Sequence, residues 1–330
     1  MAFRAAIVGM GRIGSELYRR AKSRELDIVF MLDVDGMYKD PLKKEKIGNF
    51  EDYKKQTSPL DLAFLTIPTS DNGEIAYNYM NHFLSLSIPI VTSEKGALSN
   101  HFFQLEQAIK NGMIGYSATV GGGTRLLNYL EGRVTTQVEE IHAVVNGTLN
   151  YIFTGLSEGR SLGEVVEETK KLGYAEPGAD NPIDVINKEA TGDVPMKTSI
   201  LFNTCNLSEE RMRARDVKTH KIEISELRRL IEESVRRRYI VSITKYNNHE
   251  EDVIWGFKHN VGEWYISAGF KDLKKNPLFK KLVPNGVDNA VLISEGRHGI
   301  DGNYVLSGPG AGPGPTTASM MRDAVKILLR

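Results

Sequence analysis

Short runs of apolar residues alternate with helical patterns through the first third of the chain. The runs occupy residues 5–8, 28–32, 62–67 and 88–91, and a helix is predicted at 75–84. Uninterrupted apolar runs of this length are typical of strands buried on both faces, and their alternation with helices is typical of a parallel sheet. We therefore predict an α/β domain built on a parallel sheet.

A different pattern follows in the second half of the chain. Residues 138–145, 238–245, 252–257, 264–268 and 290–294 read as strands, several with partial alternation. Helices are predicted after Asn146, after Ser161 with Glu164 in a capping box, and after Asn181. We expect an α+β domain with a mainly antiparallel sheet at 134–304. The first domain would then be discontinuous, comprising 1–133 and 305–330 and ending in a helix.

The first apolar run leads directly into a glycine-rich turn and a helix. The turn reads Gly9, Met10, Gly11, Arg12, Ile13, Gly14. In this context the first glycine allows a tight turn, the second lets a pyrophosphate approach the backbone, and the third allows close packing of helix on strand. This pattern predicts a Rossmann-like dinucleotide-binding domain, and the structural alternative is a glycine turn that only packs.

Asp33 ends the second predicted strand, about twenty residues further on, where a carboxylate accepts hydrogen bonds from the adenine ribose. We expect NAD or NADP as the cofactor, and Asp33 with Asp35 favours NAD because two carboxylates repel a 2′-phosphate. Lysines at 39, 43, 44 and 46 could swing toward a phosphate, although a run of charges is more often only solvated.

Ligands of parallel sheets bind beyond the carboxyl ends of the strands. The residues that emerge there are Thr66, Ile67 and Pro68 after one strand, and Thr92, Ser93 and Lys95 after the next. We predict that they line the cofactor site. Lys95 would lie near the nicotinamide, although a lysine at such a position is ordinarily a surface residue.

The stretch 173–188 concentrates ionisable side chains in a loop and the first turns of a helix. Asn181 is the predicted N-cap, Pro182 occupies the first helical position, and Asp184 and Lys188 share one helix face. Glu176 and Asp180 precede them. A first-turn acid that favours the helix dipole and a solvated ion pair would explain the same residues without any function.

Composition excludes several classes of function. The 330 residues carry 42 basic and 42 acidic side chains, a formal net charge of zero, which argues against nucleic-acid and acidic-membrane partners. One cysteine permits no disulfide framework, and the seven histidines lack metal-ligand spacing. The N-terminus has no signal-peptide layout and no apolar run spans a membrane. We expect a soluble cytoplasmic protein.

Three groups of residues resemble the homoserine dehydrogenase family. The first is Asn146-Gly-Thr-Leu-Asn-Tyr-Ile152, the second is Gly173-Tyr-Ala-Glu176 with Asp184 and Lys188, and the third comprises Asn276-Pro-Leu-Phe, Asn289 and Gly308-Pro-Gly-Ala-Gly312 with Asp323. The resemblance covers nearly the whole chain and implies the short form, without a regulatory domain. It implies reversible hydride transfer between L-homoserine and L-aspartate 4-semialdehyde, a small amino-acid-like substrate, a place in threonine and methionine biosynthesis, and a homodimer.

The resemblance also implies roles for individual residues. Lys188 is the first candidate for the acid-base group and Lys95 the second, with Asp184 orienting Lys188. Glu176 would hold the substrate ammonium group, and Tyr174, Asp180 and Asp184 would join the substrate site. Thr148 and the backbone of Asn146 and Gly147 would contact the substrate or the nicotinamide. Gly312 would join the cofactor site.

The sequence departs from the family pattern at several positions. The interval from Glu176 to Asp184 is short, Ser117 stands where the family commonly has a glutamate linked to a monovalent cation, and Arg125 replaces a proline. A cation could still bind the backbone carbonyls of Val120 or Gly122. We therefore retain two alternatives: a related dehydrogenase that acts on a different small amino alcohol or aldehyde, and a non-catalytic dinucleotide sensor.

Overall fold

A computed structural model describes residues 2–22, 26–55, 59–70, 72–131, 138–175, 181–246 and 252–330. These residues form two compact units, Met1–Thr119 with Pro313–Arg330, and Val120–Gly312. Within the described ranges no helix is both long and apolar enough to cross a bilayer.

The strands in chain order are β1 Phe3–Val8, β2 Leu26–Asp33, β3 Gly36–Tyr38, β4 Lys46–Gly48, β5 Leu62–Leu65, β6 Ile90–Thr92, β7 Ile114–Gly115, β8 Val138–Val144, β9 Arg237–Thr244, β10 Val253–Val261, β11 Trp264–Asp272, β12 Asp288–Glu295 and β13 Gly302–Pro309. The α-helices are α1 Arg12–Ala21, α2 Glu74–Ser85, α3 Gly96–Lys110, α4 Leu126–Glu131, α5 Gly147–Ser157, α6 Leu162–Leu172, α7 Pro182–Lys188, α8 Val194–Thr204, α9 Leu227–Glu233 and α10 Pro313–Leu328.

The first unit contains a seven-stranded sheet in the order β4-β3-β2-β1-β5-β6-β7. Neighbouring strands pair in parallel, as predicted, through β2, β1, β5, β6 and β7. Strands β3 and β4 add an antiparallel edge beside β2. The strand core is apolar, and Leu17 of α1 and Met320 of α10 pack against it with no exposed surface. The Rossmann-like fold class is thereby confirmed.

The second unit contains an entirely antiparallel six-stranded sheet in the order β10-β11-β9-β8-β12-β13. Helix α5 packs on one face, where Phe153 contacts Phe270 with ring centroids 4.5 Å apart. The opposite face is covered in part by Leu278 and Phe279. The predicted α+β domain with a mainly antiparallel sheet is also confirmed.

The two compact units divide the chain at 119/120 and 312/313, whereas we expected domain boundaries at 133/134 and 304/305. The chain returns to the first unit only at Pro313, because β13 pairs with β12 along its whole length and so keeps residues up to Pro309 in the second sheet. The assignment of a dinucleotide domain and a substrate domain to these units stays a prediction.

The residues from Tyr116 to Thr124 read in the sequence as a strand that runs into a glycine-rich loop, and the strand part of this prediction is wrong. Strand β7 ends at Gly115, and Ser117–Thr119 forms a single 3-10 turn. The turn is held by Asp323 of α10, whose carboxylate accepts hydrogen bonds from the Ser117 backbone N–H and hydroxyl, each at 2.8 Å. Ser117, which stands at the family's glutamate position, therefore makes these hydrogen bonds within the first unit.

Candidate functional site

The glycine turn has the geometry that a dinucleotide fingerprint requires. Gly9 has φ of +104°, and a Cβ at Gly14 would lie only 2.0 Å from the Gly9 carbonyl oxygen. Gly11 differs, because a Cβ there would meet no protein atom within 4 Å. The space beside Gly11 therefore remains available to a ligand at the N-terminus of α1, which fits a pyrophosphate. Arg12 is exposed there, while Met10 and Ile13 are half-buried.

The carboxyl ends of β1, β5 and β6 are tied together by threonine hydroxyls. The Thr66 hydroxyl lies 2.9 Å from the Gly9 carbonyl oxygen, and the Thr92 hydroxyl donates to the Leu65 carbonyl at 3.1 Å. Thr66 and Thr92 are buried, whereas Ile67 and Ser93 are half-buried and Pro68 is exposed. The threonines thus shape this edge of the sheet, and cofactor contacts by all five residues stay a prediction.

Lys95 is the N-cap residue of α3 and is half-buried. The preceding residue, Glu94, is only 1% exposed, and its carboxylate accepts the backbone N–H groups of Gly96 at 2.6 Å and Ala97 at 3.0 Å. Burial raises the pKa of Glu94. This cap was not predicted, although an acid just before a helix is a recognisable signal.

Asp33 ends β2, as expected, and forms an ion pair with Lys43 in the following loop. Gly312 has φ of +105°, a backbone conformation that favours glycine. Contact with a cofactor stays a prediction for both Asp33 and Gly312.

In the second unit, Asn146 begins α5 and connects it to the helical segment that follows α7. Its side-chain oxygen accepts the Leu149 N–H at 2.7 Å. Its amide nitrogen donates to Glu189 at 2.6 Å and to Asp193 at 2.7 Å. Asn146 is 3% exposed, so all three hydrogen bonds are made away from bulk water. The N-cap was predicted; the two carboxylates were not.

The other predicted substrate residues near Asn146 are engaged with the protein backbone. The Thr148 hydroxyl donates to the Tyr174 carbonyl at 2.8 Å, and a Cβ at Gly147 would lie 2.4 Å from the Val287 carbonyl oxygen. Tyr174 is half-buried and contacts the Tyr151 ring, with centroids 5.4 Å apart. These contacts bring the Asn146 loop and the end of α6 together.

The predicted pair Asp184 and Lys188 lies on α7, with both residues exposed. The helix begins as predicted: Asn181 caps it by accepting the Asp184 N–H at 2.9 Å and donates to the Asp184 carboxylate at 2.5 Å. Glu176 and Asp180 lie outside the described residues. The substrate and catalytic roles of these four residues stay predictions.

A second Asp-x-x-x-Lys pair occurs nine residues later and is buried. Asp193 and Lys197 are 6% and 9% exposed, and Lys197 Nζ lies 2.7 Å from Asp193 Oδ2. A π-helical turn, Glu189–Asp193, joins α7 to α8 and places Glu189 and Asp193 beside Asn146. Turns of this kind are rare and are frequent at functional sites. The repeated spacing was visible in the sequence, but burial was not.

The glycine-rich loop after Thr119 packs against backbone of its own unit. Gly122 has φ of +49°, a Cβ there would lie 2.9 Å from the Gly310 carbonyl oxygen, and the Gly123 N–H donates to Pro309 at 2.8 Å. The glycines of this loop led us to expect that its backbone could approach a ligand or ion closely; in the structure the loop backbone lies close to the protein's own backbone at Pro309 and Gly310. Cation binding at the carbonyls of Val120 or Gly122 stays a prediction.

Comparison with known proteins identifies the family. The family model for homoserine dehydrogenase matches residues 126–325. The chain belongs to the homoserine dehydrogenase family. Its members are NAD(P)-dependent oxidoreductases of amino-acid biosynthesis, and the chain is accordingly an NAD(P)-dependent dehydrogenase.

Relatives match over nearly the full length. A homoserine dehydrogenase of Saccharomyces cerevisiae is 27% identical over 98% of each chain, and one of Pyrococcus horikoshii is 26% identical over 100% of this chain and 98% of its own. A solved homoserine dehydrogenase of Thermoplasma acidophilum has a TM-score of 0.73 at 19% identity, covering 98% of each chain. A hyperthermophilic archaeal homoserine dehydrogenase in complex with NADPH has a TM-score of 0.70 at 23% identity, covering 100% of this chain and 98% of its own. The structural matches establish a shared fold.

Proposed function

We propose that this family member catalyses the reversible oxidation of L-homoserine to L-aspartate 4-semialdehyde. The observation that carries the proposal is the buried cluster of Asn146, Glu189, Asp193 and Lys197 in the second unit. Asn146 opens the Asn-Gly-Thr motif on which the family resemblance rests, so the cluster connects that motif to two buried acids and a buried amine.

The chemistry requires one hydride transfer and one proton transfer. When bound, the nicotinamide accepts the hydride in alcohol oxidation and returns it in aldehyde reduction. The chain must take a proton from the substrate hydroxyl as the carbon–oxygen double bond forms, and give one back in the reverse direction. A positioned amine can do both.

We assign this proton transfer to Lys197. Its Nζ is held by the Asp193 carboxylate, which also accepts the Asn146 amide, so the amine has a defined position. Lys188 is the competing candidate, because it follows Asp184 at the same Asp-x-x-x-Lys spacing and was the first choice from the sequence.

The substrate ammonium group requires a carboxylate partner. Glu176 is the candidate that the resemblance implies, and Glu189 is the candidate that the cluster adds. Lys95 is retained as the second amine. In the first unit the space at Gly11 supports a pyrophosphate site, and Asp33 supports NAD use. We further propose a homodimer, as the family resemblance implies, which light scattering on the purified protein would test.

The test is steady-state turnover of purified protein with L-homoserine, assayed in parallel with NAD and NADP. A panel of small amino alcohols, including serine and threonine, serves as the comparison. We expect homoserine to have the highest kcat/KM of the panel, with measurable turnover using both cofactors. Efficient turnover of another amino alcohol with none of homoserine would replace the proposal with the related-dehydrogenase alternative.

A further inference from the structure

Helix α7, the π-helical turn and α8 form one uninterrupted helical stretch from Pro182 to Thr204. The backbone stays helical on both sides of the turn, with φ and ψ of −57° and −42° at Lys188 and of −61° and −48° at Val194. The turn supplies both carboxylates that accept hydrogen bonds from Asn146 in the buried cluster. The position of the turn along and around the helix therefore decides whether this cluster forms.

Two buried asparagines, one on each side of the π-helical turn, hold the connecting segment, residues 205–226, which joins α8 to α9. The Asn187 side chain accepts the Ile222 N–H at 2.8 Å and donates to the Ile222 carbonyl at 2.9 Å. The Asn203 side chain accepts the Met212 N–H at 2.9 Å and donates to the Met212 carbonyl at 2.8 Å. Asn187 is 7% exposed and Asn203 3%, and both residues that they hold are buried. The two contacts are thus matched in residue type, geometry and burial.

The two asparagines differ in their separation from the π-helical turn. Asn187 is two residues before Glu189, and its carbonyl accepts the Thr191 hydroxyl from within the turn at 2.8 Å. Asn203 lies ten residues after Asp193, in the last turn of α8. The Asn187 side chain therefore fixes the helix immediately before the turn.

Fixing the helix at this point opposes the loss of the π-helical turn. Such a turn contains one residue more than an α-helical turn, so it can revert to α-helical geometry only if the helix before it moves by one residue. A move of one residue rotates a helix by about 100°, which would pull the Asn187 side chain away from Ile222. The two hydrogen bonds to Ile222 thus stabilise the register in which the turn exists.

We propose that Asn187 is a positioning residue for the proposed reaction. By fixing the rotation of α7, it keeps the π-helical turn in the register that presents its two carboxylates to Asn146. One of these carboxylates, that of Asp193, holds the Lys197 amine. Asn187 acts through the helix backbone and is assigned no contact with the substrate. The inference rests on the proposed function, in which Lys197 transfers the proton.

The test compares Asn187→Ala with Asn203→Ala, which loses the same pair of hydrogen bonds near the end of α8. Each substitution removes one side-chain partner from a buried N–H and a buried carbonyl, so Tm should fall by several degrees in both variants. The kcat for homoserine oxidation is then measured well below both Tm values. We expect Asn187→Ala to lose about tenfold or more in kcat, because the proton-transfer group is displaced, and Asn203→Ala to stay within about threefold of wild type. NADH binding should stay within about twofold in both variants, because it is assigned to the first unit.

The variants Asn187→Asp and Asn203→Asp give a second readout, which a contact that only stabilises the fold would not change. An ionised carboxylate keeps an acceptor for the N–H of the connecting segment but has no donor for the carbonyl, whereas a protonated carboxyl group supplies one. The ratio of kcat in Asn187→Asp to kcat in wild type should therefore increase about threefold or more as the pH falls from about 8 to about 5, because burial favours the protonated form. The corresponding ratio for Asn203→Asp should stay constant within about twofold.

Equal kcat in the two alanine variants would overturn the inference and leave the proposed reaction intact, because wild-type turnover would be unaffected. If Asn187→Ala does not fold, the aspartate variants decide the question, and a kcat ratio in Asn187→Asp that does not change with pH would overturn the inference. Absence of homoserine turnover in the wild-type protein would instead overturn the proposed function, and this inference with it.

Discussion

Asp193 and Lys197 form an ion pair at 2.7 Å, one helical turn apart, although neither residue is more than 9% exposed. Burying two charges is costly unless their geometry and additional hydrogen bonds compensate for the lost hydration. Asn146 supplies one such bond to Asp193 from a different helix. A buried ion pair contributes little more to the free energy of unfolding than apolar residues of similar volume would. Its presence in the unit that carries the family motifs is therefore better explained by a role in the reaction.

Asn146 combines two functions that substitution can separate. Serine at this position would keep the N-cap of α5, because a hydroxyl accepts a backbone N–H nearly as well as an amide does. It would remove the amide donors to Glu189 and Asp193. We expect Asn146→Ser to lose about tenfold or more in kcat/KM, as for loss of hydrogen bonds to charged groups. Thermal unfolding would check that Tm falls by only a few degrees. Unchanged kinetics would show that these donors have no role in the reaction.

Gly11 and Gly14 lie three positions apart, but alanine should affect ligand binding at Gly11 and thermal stability at Gly14. A methyl group at Gly11 meets no protein atom, so Gly11→Ala should fold with an unchanged Tm and bind NADH at least about tenfold more weakly. A methyl group at Gly14 would lie 2.0 Å from the Gly9 carbonyl oxygen, so Gly14→Ala should lower Tm. Calorimetry and fluorescence titration of both variants provide the comparison. Undiminished NADH affinity in Gly11→Ala would argue against pyrophosphate binding at this turn.

Glu94 should impose a pH dependence on stability. Burial raises its pKa above the usual 4.5, so the folded state binds a proton more tightly than the unfolded state does. Its contribution to stability is therefore fully present below 4.5 and is lost as the pH rises through the raised folded-state pKa. Glu94→Gln removes the titration. The difference in Tm between wild type and Glu94→Gln should shift against the wild type as the pH increases over this window. A difference that is constant with pH would contradict the assignment.

The helix starts were predictable because their signals are local. Asn146, Ser161 and Asn181 each accept the backbone N–H of the residue three positions ahead, as their residue types and positions indicated. The parallel strands were likewise visible as apolar runs. Each of these signals requires only a few neighbouring residues.

The remaining features depend on contacts between distant parts of the chain. Ser117 and Asp323 are 206 positions apart, and their hydrogen bonds link the 3-10 turn after β7 to α10. Strand β13 was missed because its glycine-rich end resembles a return to the first domain, whereas pairing with β12 decides its place. The two Asp-x-x-x-Lys pairs look alike in sequence, and only packing around the π-helical turn distinguishes the exposed pair from the buried one.

The most direct test of proton transfer by Lys197 is kcat for homoserine oxidation in Lys197→Arg, with Lys188→Arg as the matched control. Arginine keeps the positive charge beside Asp193 but cannot release a proton in the accessible pH range, so the ion pair is retained while proton transfer is blocked. We predict that Lys197→Arg loses about a hundredfold or more in kcat with Tm and NADH affinity close to wild type, and that Lys188→Arg stays within about threefold. Near-normal turnover in Lys197→Arg, with the loss found in Lys188→Arg, would contradict proton transfer by Lys197 and would assign it to Lys188 of the exposed pair.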